Sequence, residues 1–263
     1  MNRDVSARIV AEVGRPATIA LQVGVALGHV VDESWDIRVG GQPVPVRVLV
    51  GEHGTRLHVV QAGPGVMTVQ YVARVSGAGA TQRTTEVELL RYLRPSRYCE
   101  SDILGPTARA EFGGLSGADL LAAVSSWVGT RLAYVPGSSL PTDGAARTLL
   151  ARRGVCRDFA HLVVAMLRAL DVPARVVAVY APGLDPMDFH AVAEAHVEGD
   201  WHVVDATTLA PRGTLLRIAT GRDASDTAFL SSYGGLVELH EIQVGAVADA
   251  LPGDDLHALA RLA

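Results

Sequence analysis

Lysine is absent from this chain of 263 residues: all 23 basic side chains are arginine. That excludes Schiff-base chemistry on a lysine, a P-loop lysine and any side-chain amine the chain itself might donate. A GC-rich genome, which favours Arg, Ala, Gly and Val codons, accounts for the bias. Cysteine is scarce as well. Cys99 and Cys156 are too few for a disulfide scaffold in a chain this long. Reduced thiols are the expectation, with a single Cys99–Cys156 bridge left open by spacing alone. Positive charge is not in excess, since 28 acidic residues outnumber the 23 arginines for a net −5. Nucleic acid and anionic membrane surfaces are therefore not expected partners. Long hydrophobic runs are missing too. Residues 16–31 form the longest uncharged run near the start, and Gln22, Gly24, Gly28 and His29 interrupt it. Residues 1–13 mix charges with apolar residues and carry no signal-type stretch, so a cytoplasmic protein is expected.

What is present describes a folded protein. At 49% hydrophobic and 19% charged residues, the chain is long enough to bury one large core or two modest ones. Residues 8–12, 18–25, 44–50, 56–61 and 66–75 read as short strands separated by glycine-rich turns, which predicts a small β-sandwich over residues 1–90. No nucleophile, base and acid cluster within it, so its expected role is packing or substrate presentation. Beyond Thr81 the texture changes. Residues 86–101 read as extended, and a Gly/Pro-bearing stretch follows up to Gly114. Ser116 with Asp119 predicts a capped helix over 117–131, and Thr142 caps a second that runs to Arg152. A third spans about 155–170. Strands follow at 174–180, 190–197, 201–206 and 237–244. This order predicts an α+β core over residues 91–250, with a tail at 251–263 that holds a short helix.

The candidate chemistry centres on Gly154-Val155-Cys156-Arg157-Asp158-Phe159-Ala160-His161-Leu162. The helix it opens is apolar on nearly every face and reads as buried. Cys156 then sits in the first turn, at the positive end of the helix dipole, where the nucleophilic thiolate is favoured; Arg157 adds charge. The alternative is a cysteine that merely packs. A thiolate needs a base and an orienting acid. In a hairpin with an even-numbered loop, residues of opposite parity on the two strands share a face, so His190 and Asp205 point the same way. A two-residue turn at Glu198-Gly199 sets Asp205 opposite Val192 and diagonal to His190, about 7–8 Å apart at the backbone.

Other residues are weaker candidates. Asp158 lies about 200° round the helix from the thiol and is expected to serve the first turn or a neighbouring loop. His161 reads as a satisfied core histidine, and His196 and His202 as surface residues. No C-x-x-C, H-E-x-x-H, phosphate-loop or G-x-S-x-G spacing occurs, so neither metal nor cofactor is expected.

The 154–162 stretch, Asp-Phe-His-Ala at 188–191 and Trp-x-x-x-Asp-Ala-Thr at 201–207 resemble the bacterial transglutaminase-like superfamily. So do residues 92–102, Val-Pro-Gly-Ser-Ser at 135–139 and Gly-Arg-Asp-Ala at 221–224. The resemblance runs from about 90 to 245, and the N-terminal β unit is similar to a domain that often precedes this core. It implies a papain-like triad with Cys156 as nucleophile, His190 as base and Asp205 as orienter, and it places Cys99 in a structural motif. One departure stands out. The superfamily usually has an aromatic residue two places after the histidine, where this chain has Val192, which implies a wider acyl pocket. The expected activity is cleavage or transfer of an amide or acyl group through a Cys156 thioester, with a peptide, protein or small amide as substrate. Its rivals are a catalytically silent peptide- or partner-binding module of the same fold and an amide-forming enzyme acting on carrier-bound acyl groups. For the oxyanion, the Cys156 backbone N–H is one donor, with Tyr134 or Trp127 as the second.

Overall fold

The computed structural model describes residues 1–79 and 84–262; Thr81, where the texture changes, lies outside them. Alternation builds the first part. β1 (Asn2–Arg15) buries Val5, Ala7, Ile9, Ala11 and Val13 along one face, the period of a half-covered strand. β2 (Ala17–Leu21), β3 (Val30–Val39), β4 (Gln42–Pro43), β5 (Val46–Val50), β6 (Arg56–Ala62) and β7 (Gly65–Ser76) follow. They form two antiparallel ladders, β1-β7-β3-β4 and β2-β6-β5, whose inner faces share one apolar core. β3 is not among the expected strands. Of its residues only Ile37 is fully buried, so its sequence carries little apolar alternation, and its long pairing with β7 holds it extended.

Residues 86–101 depart from the extended reading. α1 (Glu86–Arg91) begins there, capped by Thr85, whose hydroxyl accepts the Glu88 N–H at 3.3 Å. α2 (Ser101–Phe112) replaces the expected Gly/Pro loop and carries Pro106 inside it. The missing proline N–H deprives only the carbonyl of Asp102, an exposed residue of the first turn, where water can replace it. α3 (Gly117–Arg131) has the expected bounds, although Ser116 makes no side-chain capping bond. β8 (Ala133–Tyr134), α4 (Ala145–Ala151), β9 (Arg153–Gly154) and α5 (Cys156–Arg168) come next; α4 starts after Gly144 rather than Thr142.

Eleven of the thirteen residues of α5 are buried. The helix lies on an antiparallel sheet made of β10 (Ala174–Tyr180), β11 (His190–Val197), β12 (Asp200–Val204) and β13 (Leu216–Gly221), in the order β12-β11-β10-β13. α2, α3 and α4 cover its remaining sides. A central buried helix on an antiparallel sheet, preceded by a β-sandwich, is the α+β architecture expected from the sequence.

The chain then returns to its beginning. After α6 (Ala224–Thr227), β14 (Leu230–Tyr233) pairs with β2, and β15 (Leu236–Ala248) pairs with β1. The strand expected at 237–244 therefore extends the sandwich and not the sheet of the core. The complete sandwich sheets are β15-β1-β7-β3-β4 and β14-β2-β6-β5. A crossing at Gly235 makes this return feasible, since a Cβ there would meet the Arg15 and Pro16 carbonyl oxygens at 2.4 Å. The tail over 251–262 contains no helix. It is held by Asp254 on Arg212 at 2.9 Å and by Ala260, whose carbonyl accepts the Val203 N–H at 2.8 Å.

The two parts are fused by apolar contacts and by the ion pair of Arg91 in α1 with Glu52 of the sandwich, and the core sheet carries an ionic cluster of its own. Tyr180, Leu216, Ile218 and Ala219 of the core sheet join the apolar core of the sandwich, and the Tyr180 hydroxyl donates to the Val23 carbonyl at 2.9 Å. Glu194 is buried between Arg175 at 2.8 Å and Arg217 at 2.6 Å. Burial by itself would raise its pKa, but the two guanidinium groups prevail and hold it down to about 2. Glu194→Gln leaves two buried arginines without their shared carboxylate and is expected to cost about 3–5 kcal/mol in urea unfolding at pH 7. A depressed pKa stabilises the fold above the unfolded value of about 4.3. The wild type's margin over the variant should therefore be full above that pH and shrink as the pH falls toward 2.

Candidate active site

Cys156 is the first residue of α5 and is half-buried. The local sequence shapes its surroundings. Asp158 accepts the Val155 N–H at 2.8 Å through Oδ2 and the Ser139 hydroxyl at 2.9 Å through Oδ1. It therefore both closes the first helical turn and anchors the 135–139 loop. Gly154 is required by this closure, because a Cβ there would lie 2.7 Å from that of Asp158. Arg157 also donates to Ser139, at 2.5 Å, and to the Leu140 carbonyl at 2.9 Å.

His190 opens β11, and Asp205 directly follows β12. The hairpin register pairs Val197 with Asp200 and Ala193 with Val204 across the Glu198-Gly199 turn, so the parity argument applies as drawn. The two side chains meet: His190 Nε2 lies 2.9 Å from Asp205 Oδ2, and both residues are buried. The other oxygen of Asp205 accepts the Thr207 N–H at 2.9 Å and the Thr207 hydroxyl at 2.7 Å. Thr207 thus fixes the carboxylate that holds the ring. Gly129 of α3 allows this loop to pack closely, since a Cβ there would sit 2.6 Å from the Ala206 carbonyl oxygen.

With Nε2 engaged by Asp205, Nδ1 is the ring nitrogen left for the thiol, and it is buried with no conventional hydrogen-bond partner. Burial disfavours the imidazolium, but the Asp205 charge and hydrogen bond, together with the Cys156 thiol, push the pKa of His190 up to about 10. Asp205 is held below its ordinary value: burial opposes ionisation, and His190 and Thr207 outweigh it.

The structure distinguishes the two oxyanion candidates. Tyr134 is 41% exposed, and its hydroxyl lies near enough to Cys156 for the thiol and the backbone of that residue to influence its ionisation. Burial and the nearby thiol push its pKa up to about 12. The parallel pairing of β8 with β9 ties Tyr134 to the segment that enters α5. Trp127 is engaged elsewhere and donates to Glu111 at 2.9 Å.

Other expectations change. Val192 does not wall the site. Alternation puts it on the same face as His190, but one pair further along the strand, where it is buried in a separate apolar cluster with Val177, Val179, Val203 and Leu215. A cavity of about 710 Å³ holds Cys156 and His190, with Phe189, Ala191, Ile218 and Phe229 among its walls. Asp188 lines it as well, its carboxyl raised by burial. His202 is buried and not a surface residue, while His196 is partly exposed and stands edge-on to Trp201 at 5.3 Å. His161 is a core residue whose Nε2 accepts the Ala224 N–H at 3.1 Å, and burial pushes its pKa down to about 3. Both cysteines are free thiols; Cys99 is fully buried, which pushes its thiol up to about 12. Among the described residues, no three His, Cys, Asp or Glu side chains gather as a metal site.

The family model of the transglutaminase-like superfamily matches residues 109–206. A solved structure of a proposed cysteine protease from Cytophaga hutchinsonii is 31% identical, covering 98% of this chain and 96% of that one with a TM-score of 0.89. An uncharacterized protein of Mycobacterium leprae is 30% identical over 122 residues, 43% of this chain and 44% of its own length. The uncharacterized protein Rv2569c of Mycobacterium tuberculosis is 39% identical over 74 residues, 26% of this chain and 24% of its own. The matched stretches span less than half of either mycobacterial relative. The chain belongs to the transglutaminase-like superfamily, a class consistent with thiol-enzyme chemistry.

The His190 ring is expected to titrate near pH 10 by NMR. In Asp205→Asn, burial acts without the opposing charge, so the titration should fall to or below the ordinary value of about 6.5. An unchanged midpoint would show that Asp205 does not sustain the imidazolium.

Proposed function

We propose that this protein is a thiol hydrolase of amide bonds, with Cys156 as nucleophile, His190 as general acid and base, and Asp205 as the orienter of the ring. The observation that carries this reading is the 2.9 Å contact between His190 Nε2 and Asp205 Oδ2, which leaves Nδ1 for the thiol. The near full-length likeness to a proposed cysteine protease supports a peptide or protein substrate.

Cys156 Sγ, its proton held on His190, attacks the carbonyl carbon and forms a C–S bond while the carbonyl π electrons move to oxygen. The Cys156 backbone N–H and the Tyr134 hydroxyl donate to that oxyanion. His190 Nδ1–H then protonates the amide nitrogen as the C–N bond breaks, and the amine leaves a thioester on Cys156. Water gives a proton to the now neutral imidazole and adds to the thioester. Collapse of the second tetrahedral adduct expels the thiolate and releases the acid. An amine in place of water turns the same sequence into acyl transfer. Hydrolysis is favoured because the cleft is open and the half-exposed thiol can admit water.

An activated peptide thioester or ester should leave an acyl adduct on the wild-type protein, visible by intact mass. Cys156→Ala should show no adduct and no turnover while retaining the wild-type melting temperature. Normal turnover by that variant would falsify the proposal. Tyr134→Phe keeps the ring and removes one oxyanion donor, so kcat should fall by about 10²-fold with KM little changed. A rate equal to wild type would remove Tyr134 from the mechanism.

A further inference from the structure

The strand that closes the sandwich nearest the thiol has one free edge. β14 is terminal in the order β14-β2-β6-β5, so it is paired on one side alone. Its register sets Leu230 against Leu21, Ser231 against Ala20, Ser232 against Ile19 and Tyr233 against Thr18. One rung beyond, the Gln22 N–H donates to the Phe229 carbonyl at 2.9 Å. In an antiparallel ladder, hydrogen-bonded pairs alternate with non-bonded ones. Phe229, Ser231 and Tyr233 therefore direct their backbone groups toward β2, while Leu230 and Ser232 direct theirs outward. Among the described residues, no other strand pairs with that edge.

The edge borders the site. Ser231, Ser232 and Tyr233 line the same cavity of about 710 Å³ that contains Cys156 and His190. A second cavity of about 590 Å³ lies over the sheet face beside Ser231 and Tyr233, between Ala20 and Leu57 on one side and Arg94 and Arg222 on the other. The cavity that holds the thiol thus follows three of the four residues of β14, a shape that suits an extended chain. Phe189 and Phe229 stack at 5.5 Å in the wall between the thiol and the strand, offering an apolar face to a side chain that projects from such a segment.

We infer that the substrate is an extended peptide that adds to the free edge of β14 as a further strand of the sandwich sheet. Leu230 and Ser232 donate and accept its main-chain hydrogen bonds. This mode supplies affinity largely independent of sequence and leaves specificity to alternate side chains. At about 3.3 Å per residue, four residues of β14 accommodate about four residues of substrate. The sandwich is then part of the binding cleft, and Leu230 and Ser232 are positioning residues acting through their backbone. The inference rests on the thiol-enzyme reading above.

The test compares two covalent probes on Cys156, a hexapeptidyl chloromethyl ketone and iodoacetamide, followed by amide hydrogen exchange over 228–233. The peptidyl adduct should protect the two amides of Leu230 and Ser232, and the carbamidomethyl adduct should protect neither. Ser232→Pro removes an outward N–H without breaking the ladder to β2. It should slow labelling by the peptidyl reagent at least tenfold relative to iodoacetamide. A peptidyl adduct on Cys156 without new protection overturns the inference. So does an equal effect of Ser232→Pro on both reagents, or protection that already rises with protein concentration before labelling, which would assign the edge to a second copy of the chain. If neither reagent modifies Cys156, the failure lies with the thiol-enzyme reading instead. Should Ser232→Pro fail to fold, the exchange measurement on the wild type still decides.

Discussion

Eleven of the thirteen residues of α5 are buried, so this helix can meet a substrate only through its first turn. Burial removes water from the rest of the helix, and the unpaired N–H groups of its first turn find protein partners or face the cleft. Asp158 satisfies the Val155 N–H from within the chain, while the Cys156 N–H faces Tyr134 and the cleft. Packing that makes the core stable thus also presents its one polar end to the cleft. The dipole, the thiol and the donors proposed for an oxyanion all meet at that point.

The buried end needs a rigid frame, and Arg168 at the far end of α5 helps provide it. Its guanidinium donates to the carbonyls of Ala174, Arg94 and Arg222 and to the Ser96 hydroxyl. Asp223 accepts the Tyr98 N–H at 3.0 Å and caps α6 through Ser225. Residues 92–102 and 221–224 have no evident chemistry in the sequence. In the fold they form one network of backbone carbonyls and amides that holds the strand and loop segments around α5. Their role is to fix the helix, and through it the thiol.

The sandwich takes part in the same arrangement. Because β14 and β15 complete its sheets after the core has been built, the chain crosses between the two parts twice before its tail returns to the core. The second crossing brings Phe229 and the edge of β14 into the wall of the cavity that holds the thiol. A periodicity of two reports that one face of residues 237–244 is covered, but it says nothing of which strand lies beside it. For the same reason β3 was invisible: its partner β7 and not its own composition makes it a strand.

The sequence by itself determined which side chains share a face and how far apart along an element they lie. Hairpin parity put His190 and Asp205 on one face, and the all-round apolar pattern after Gly154 announced a buried helix that begins at Cys156. These are local properties, set by a repeat of two or 3.6 residues and by a two-residue turn. Tertiary structure decided which faces meet. It set Tyr134 and not Trp127 beside Cys156 through the β8–β9 pairing, placed Val192 in a separate apolar cluster, buried His202, and brought residues 230–233 from the chain's last quarter to the cleft. The difference has a physical origin. Alternation encodes whether a residue is buried, whereas the identity of its neighbour follows from long-range pairing, which a single pattern of apolar and polar residues does not specify.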